Sequence, residues 1–91
     1  MAHLKDKQSE LVARVRRIGG QLASVERALS ENADCATVLQ QVAAVRGAVN
    51  GLMDEILEAH LREHVAHPDL APQARVRGAD DVIAAIRRYV K

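Results

Sequence analysis

Aromatic side chains are almost missing from this sequence: Tyr89 stands alone among 91 residues, with no Trp and no Phe. Without an aromatic platform, recognition of RNA or single strands by base stacking is disfavoured. A single cysteine, Cys35, rules out an intramolecular disulfide framework and a four-cysteine zinc module, and it fits a reducing compartment. Two Pro and five Gly are too few for a sandwich or barrel built on many turns. No apolar run approaches the roughly 18 residues that span a bilayer, and no signal-peptide pattern opens the chain, so the expected location is the cytoplasm, with no membrane contact. The length fits one domain, residues 1–91, whose small core makes association with further copies the default expectation.

What is present is alanine, leucine and valine at helical spacing. Leu11, Val15, Ile18, Leu22, Val25 and Leu29 recur at intervals of 4, 3, 4, 3 and 4, predicting a first helix from Asp6 to Leu29. Asn32 and Asp34 break the pattern, and Asp34 is placed to cap the next helix. That second helix is expected from Cys35 to about Val65, where His67-Pro68-Asp69 stops it. A third runs from about Ala74 or Asp80 to Val90. The fold class is therefore all-α, three helices per chain. A second helix about 45 Å long cannot be buried along its length by so short a chain, which calls for another copy beside it.

Charge is uneven beneath a net of +1. Residues 1–30 carry six basic and three acidic groups, 31–69 two and seven, and 70–91 five and two. Arg14, Arg16 and Arg17, following Lys5 and Lys7, form the densest basic cluster. Such a cluster is a solvated face or a surface for DNA phosphates. No helix-turn-helix, zinc finger or basic zipper is legible. Arg46 lies amid the apolar part of the second helix, placed to pair with an acidic neighbour.

His60 and His64 are four residues apart, so both imidazoles leave one face of a helix at chelating distance. Alone, such a pair is more often incidental. Cys35 opens the same helix, where the dipole favours a thiolate, although a lone cysteine is commonly just a small apolar residue. His67 reads as a neighbour of the pair or as surface, and His3 by itself as a solvated tail residue. Cys35 and His60 are separated by about 37 Å of helical rise and cannot share an ion within one chain. Two antiparallel copies would bring Cys35 of one beside His60 and His64 of the other, with a dyad near residues 48–49. Gly47-Ala48-Val49-Asn50-Gly51 then reads as a close helix crossing. One thiolate with several imidazoles suits nickel, cobalt or zinc, whereas copper(I) would want more sulfur. If Met1 is removed ahead of the small Ala2, the free Ala2 amine and His3 would add nitrogen donors toward the five or six positions that Ni(II) and Co(II) accept; Zn(II) prefers four. The H-x-x-E-H spelling of residues 60–64 also matches a zinc peptidase motif, but a thin helical bundle supplies no substrate cleft, so no enzyme is expected.

Three stretches carry a resemblance: Arg14-Val-Arg-Arg-Ile-Gly-Gly-Gln21, Cys35 with Leu39 to Met53, and Glu58-Ala-His-Leu-Arg-Glu-His64. Over essentially its whole length the chain resembles the CsoR/RcnR family of bacterial metal- and formaldehyde-responsive repressors. The resemblance implies antiparallel helical dimers assembling into a homotetramer that binds double-stranded operator DNA and is released by its effector, derepressing an efflux or detoxification gene. It implies metal ligation by His3, Cys35, His60 and His64, a set similar to the nickel/cobalt-sensing RcnR branch, and DNA contacts from Arg14 and Arg17, with Arg16. The copper branch has a second cysteine where His64 stands. The formaldehyde branch typically has proline at the second position and glutamate at that of His64. Cys35, His60 and an Ala2 amine keep formaldehyde as the alternative effector.

Overall fold

The computed structural model describes residues 7–89. It consists of three helices, α1 (Gln8–Ser30), α2 (Cys35–His64) and α3 (Pro72–Tyr89), with no strand among the described residues. The chain divides into two compact units, one formed by Gln8–Met53 and the other including 54–89.

In the first unit, α1 ends where Asn32 takes a left-handed conformation, φ 59°. The Ala33 amide donates to the Ala28 carbonyl at 2.9 Å and the Asn32 amide to the Leu29 carbonyl at 3.3 Å. This pairing satisfies the last carbonyls of the helix, and asparagine is among the few non-glycine residues that visit this conformation readily. Two residues on, Asp34 caps α2 as expected. Its Oδ2 accepts from the Thr37 amide at 3.3 Å and its Oδ1 from the Thr37 hydroxyl at 2.7 Å. The Thr37 hydroxyl and amide together hold the Asp34 carboxyl below its ordinary 3.8. A carboxyl lowered by folding stabilises the fold above its unfolded pKa, and that contribution is lost as pH falls through the folded value. Asp34→Ala is therefore expected to lower the thermal midpoint at pH 7. Asp34→Asn should keep most of the cap while losing the acid-side dependence, which thermal melts at pH 3 to 7 would read.

The apolar stripe of α1 is only partly covered: Leu11 is buried and Ile18 and Val25 half-buried, while Val15, Leu22 and Leu29 are exposed. Buried apolar side chains among the described residues are Leu11, Ala28 and Val82, whereas Leu22 is 53% exposed and Leu39 63%. Leucines exposed to this extent forgo roughly half of the about 1.5–3 kcal/mol that full burial contributes.

In the second unit, the Val65 and Ala66 amides close the end of α2 by donating to the Leu61 carbonyl at 3.1 and 2.8 Å. The Arg75 guanidinium fastens the following turn by donating to the carbonyls of Val65 and Leu70. The third helix begins at Pro72, earlier than either start read from the sequence. Pro72 occupies the first helical position, where a missing amide costs nothing, and the Arg75 amide donates to the Ala71 carbonyl at 3.0 Å. A glycine and a polar run inside α3 conceal that early start. The expected last residue, Val90, lies outside the described residues.

Candidate metal centre and nucleic-acid interface

The last turns of α2 bring His60 and His64 together, their ring centroids 4.8 Å apart and tilted by 42°. Both are half-buried. His60 Nε2 lies 3.1 Å from the Gly78 carbonyl. A carbonyl only accepts, so Nε2 carries the proton and the lone pair of the neutral ring sits on Nδ1. A ring fixed in this way is the usual condition of a metal-binding histidine, whose second nitrogen donates to a carbonyl or carboxylate.

Gly78 is what permits this geometry. It is buried, and a Cβ built on it would stand 2.0 Å from the His64 carbonyl oxygen and 2.8 Å from its carbon. Sequence reasoning misses Gly78 as a site residue. The available signal is a glycine inside an otherwise helical pattern, which is costly unless packing requires it. His67 serves the turn: its Nδ1 accepts from the Asp69 amide at 3.1 Å. Within the H-x-x-E-H spelling, Arg62 pairs with Glu58 at 2.8 Å on an exposed face, holding the Glu58 carboxyl below its ordinary value.

Cys35 is the first residue of α2 and is exposed. Among the described residues, no three His, Cys, Asp or Glu side chains lie close enough to hold an ion. The structure thus gathers His60 with His64, and it does not gather Cys35 with them. His3 and Ala2 lie outside the described residues.

On α1, Arg14 is half-buried while Arg16 and Arg17 are exposed. Arg14 and Arg17 line one side of a cavity of about 230 Å³ whose other side is Gly47, Ala48 and Gly51 of α2. The small residues expected at a crossing between copies therefore face α1 of their own chain. At Gly51 an added Cβ would lie 3.1 Å from Arg14 Nη1. At Gly47 a Cβ would meet nothing within 4 Å, so Gly51 alone of the two is closely approached within the chain.

Comparison with known proteins gives consistent relatives. The family model described as "Metal-sensitive transcriptional repressor" matches residues 7–88. An uncharacterized protein encoded in the bioA 5′ region of Serratia marcescens is 50% identical over 91 residues, covering all of both chains. A transcriptional repressor RcnR homolog of Escherichia coli is 44% identical over 92 residues, again covering all of both. Among solved structures, a glutamate-to-histidine variant of the formaldehyde-responsive regulator FrmR from Salmonella enterica serovar Typhimurium matches with a TM-score of 0.86. It is 40% identical, over 93% of this chain and 96% of that one.

Proposed function

We propose that this chain, which belongs to the CsoR/RcnR family of metal-sensitive transcriptional repressors, is a nickel(II)- or cobalt(II)-responsive repressor that holds operator DNA when metal-free. The family is one of repressors, not enzymes. The observation that carries the metal reading is the half-buried His60–His64 pair, with Nε2 of His60 held by the Gly78 carbonyl. A thiolate from Cys35 of one protomer would complete the set with the partner's His60 and His64, and His3 and the Ala2 amine would raise the ligand number. When bound, the metal would supply ligation chemistry alone, held by these donors.

Helical register supports such an arrangement. Cys35, Val42, Val49 and His60 follow at steps of 7, 7 and 11, each close to a whole number of turns, so they share one side of α2. Val42 and Val49, both exposed, would be covered when an antiparallel copy meets that side, leaving a thiol and two imidazoles at each end. Arg14, Arg16 and Arg17 would face DNA from the homotetramer, the whole chain acting as one sensor domain in the cytoplasm. A coupling of about 1–3 kcal/mol between the sites weakens DNA binding roughly 5- to 150-fold.

Titrating the apoprotein with cobalt(II) tests the metal site. A thiolate charge-transfer band with weak d–d bands of five or six ligands is expected. Intense tetrahedral bands would favour zinc(II), and no thiolate band would remove Cys35 from the site. His64→Glu should blunt the metal response and leave affinity for a duplex selected from a randomised library unchanged. Loss of DNA binding in that variant would contradict the assigned role.

A second reading is favoured by the likeness to the formaldehyde-responsive relative and by the exposed thiol of Cys35. Formaldehyde would then condense with the Ala2 amine and Cys35, losing water and leaving one added carbon. Mass spectrometry after formaldehyde treatment, with DNA release in the absence of metal, separates this reading from the first.

A further inference from the structure

The geometry points to Arg75 as the positioning residue of the His60–His64 pair. Its guanidinium fixes where the start of α3 sits on the end of α2, and through Gly78 it fixes which ring nitrogen of His60 stays open to a metal. This deepens the metal reading above and rests on it for the ion.

Three points of the chain meet at this side chain. Arg75 lies in the first turn of α3 and is half-buried. Its Nη1 donates to the carbonyl of Val65, just past the end of α2, and its Nη2 donates to the carbonyl of Leu70, just before α3, at 3.3 Å. Carbonyls at a helix C-terminus lack amide partners, and the helix dipole favours a cation there. A residue that only capped α2 would need the first bond alone. The second ties the entry of α3 to the same rigid group. A planar guanidinium holds two fixed directions at once, which the single ammonium of a lysine on its flexible stem does not.

The effect reaches the histidines through Gly78. Arg75, Gly78 and Val82 follow at steps of 3 and 4, so they share one side of α3, and Gly78 and Val82 are buried. Gly78 is one turn, about 4.5 Å of rise, beyond Arg75. Its carbonyl accepts from His60 Nε2 at 3.1 Å, and its backbone rests against the His64 carbonyl. Such a bond is lost beyond about 3.5 Å, so a retreat of α3 by about half an ångström releases the ring. A released neutral imidazole populates both tautomers, and the form protonated on Nδ1 cannot ligate through that atom. Arg75 thus acts on the site through the seat of α3, not as a ligand.

The test compares Arg75→Ala and Arg75→Lys with Val82→Ala, each in the full chain, with circular dichroism melts to verify folding. Val82→Ala removes buried apolar volume from the same side of α3 and leaves both Arg75 bonds in place, so it reports what lost stability alone does. Nitrogen-15 spectra of the histidine rings, recorded on metal-free protein with the rings neutral, read the His60 tautomer. Cobalt(II) titration reads the affinity. Wild type and Val82→Ala should show His60 as one tautomer, its two ring nitrogens widely separated. Arg75→Ala should draw those two signals together and weaken cobalt(II) binding about 10-fold, the lower end of what losing a ligand's outer partner costs. Arg75→Lys keeps the charge and one bond and should fall between, and it decides the question if Arg75→Ala does not fold. Widely separated His60 signals in the folded Arg75 variants overturn the assignment, as does a Val82→Ala protein that behaves like Arg75→Ala. A wild type that binds no cobalt(II) overturns the metal reading instead, and the ring spectra still decide the role of Arg75.

Discussion

Gly78→Ala is expected to destabilise the protein by about 3 kcal/mol, the upper end of what overpacking costs. The methyl carbon would stand 2.0 Å from the His64 carbonyl oxygen and 3.0 Å from its Cβ. These are atoms of helix α2 itself, with no rotamer to escape into. Relief requires α3 to move away from the end of α2, which lengthens the bond from His60 Nε2 to the Gly78 carbonyl, now 3.1 Å. Two readouts should therefore fall together: the thermal midpoint, by about 12 °C or more for a small domain, and affinity for cobalt(II), through a loosened His60 ring. Gly20→Ala provides the opposite sign on the same chemistry. Nothing lies within 4 Å of a Cβ there, so removing a helical glycine should stabilise by about 0.5–1 kcal/mol. Equal effects at the two positions would show that propensity, not the close approach of α3, governs Gly78.

Much of this architecture is legible before any coordinates, and the parts that are not share a cause. The apolar periodicity of α1, the stop at Asn32 and the cap at Asp34 depend on neighbours within a turn or two, and each appears where local chemistry puts it. The start of α3 is missed because Pro72 reads as a breaker unless it is placed at the first helical position. The roles of Gly47, Gly51 and Gly78 depend on which helix lies opposite, and a glycine in a sequence does not carry its partner's name. Gly51, expected against a neighbouring copy, belongs under Arg14 of its own chain. Gly78 stands out locally only as a glycine within a helical pattern, which does not say that its carbonyl fixes His60. The proposed metal ligands show the same division. The i, i+4 spacing of His60 and His64 is local and gives two rings 4.8 Å apart, whereas the place proposed for Cys35 requires a second chain.

That dependence gives the second large effect, a complementation between two inactive proteins. Cys35→Ser alone should lose the cobalt thiolate band, since no other cysteine exists in the sequence. A chain carrying both His60→Ala and His64→Ala should lose it too, having no imidazole pair to bring to the thiol. Unfolding the two variants together and refolding them at equal concentration produces mixed dimers at about half of the total. In each mixed dimer one site is doubly damaged, and the other unites an intact Cys35 with an intact histidine pair. The band should therefore return to about a quarter of its wild-type intensity, the share set by two equivalent sites related by a twofold axis. A site built within one chain predicts none at any mixing ratio, because every chain present lacks a ligand. Zero recovery, with both variants folded and mixed dimers verified by mass, would separate Cys35 from the histidine pair. His60 and His64 would then have to find their remaining ligands elsewhere.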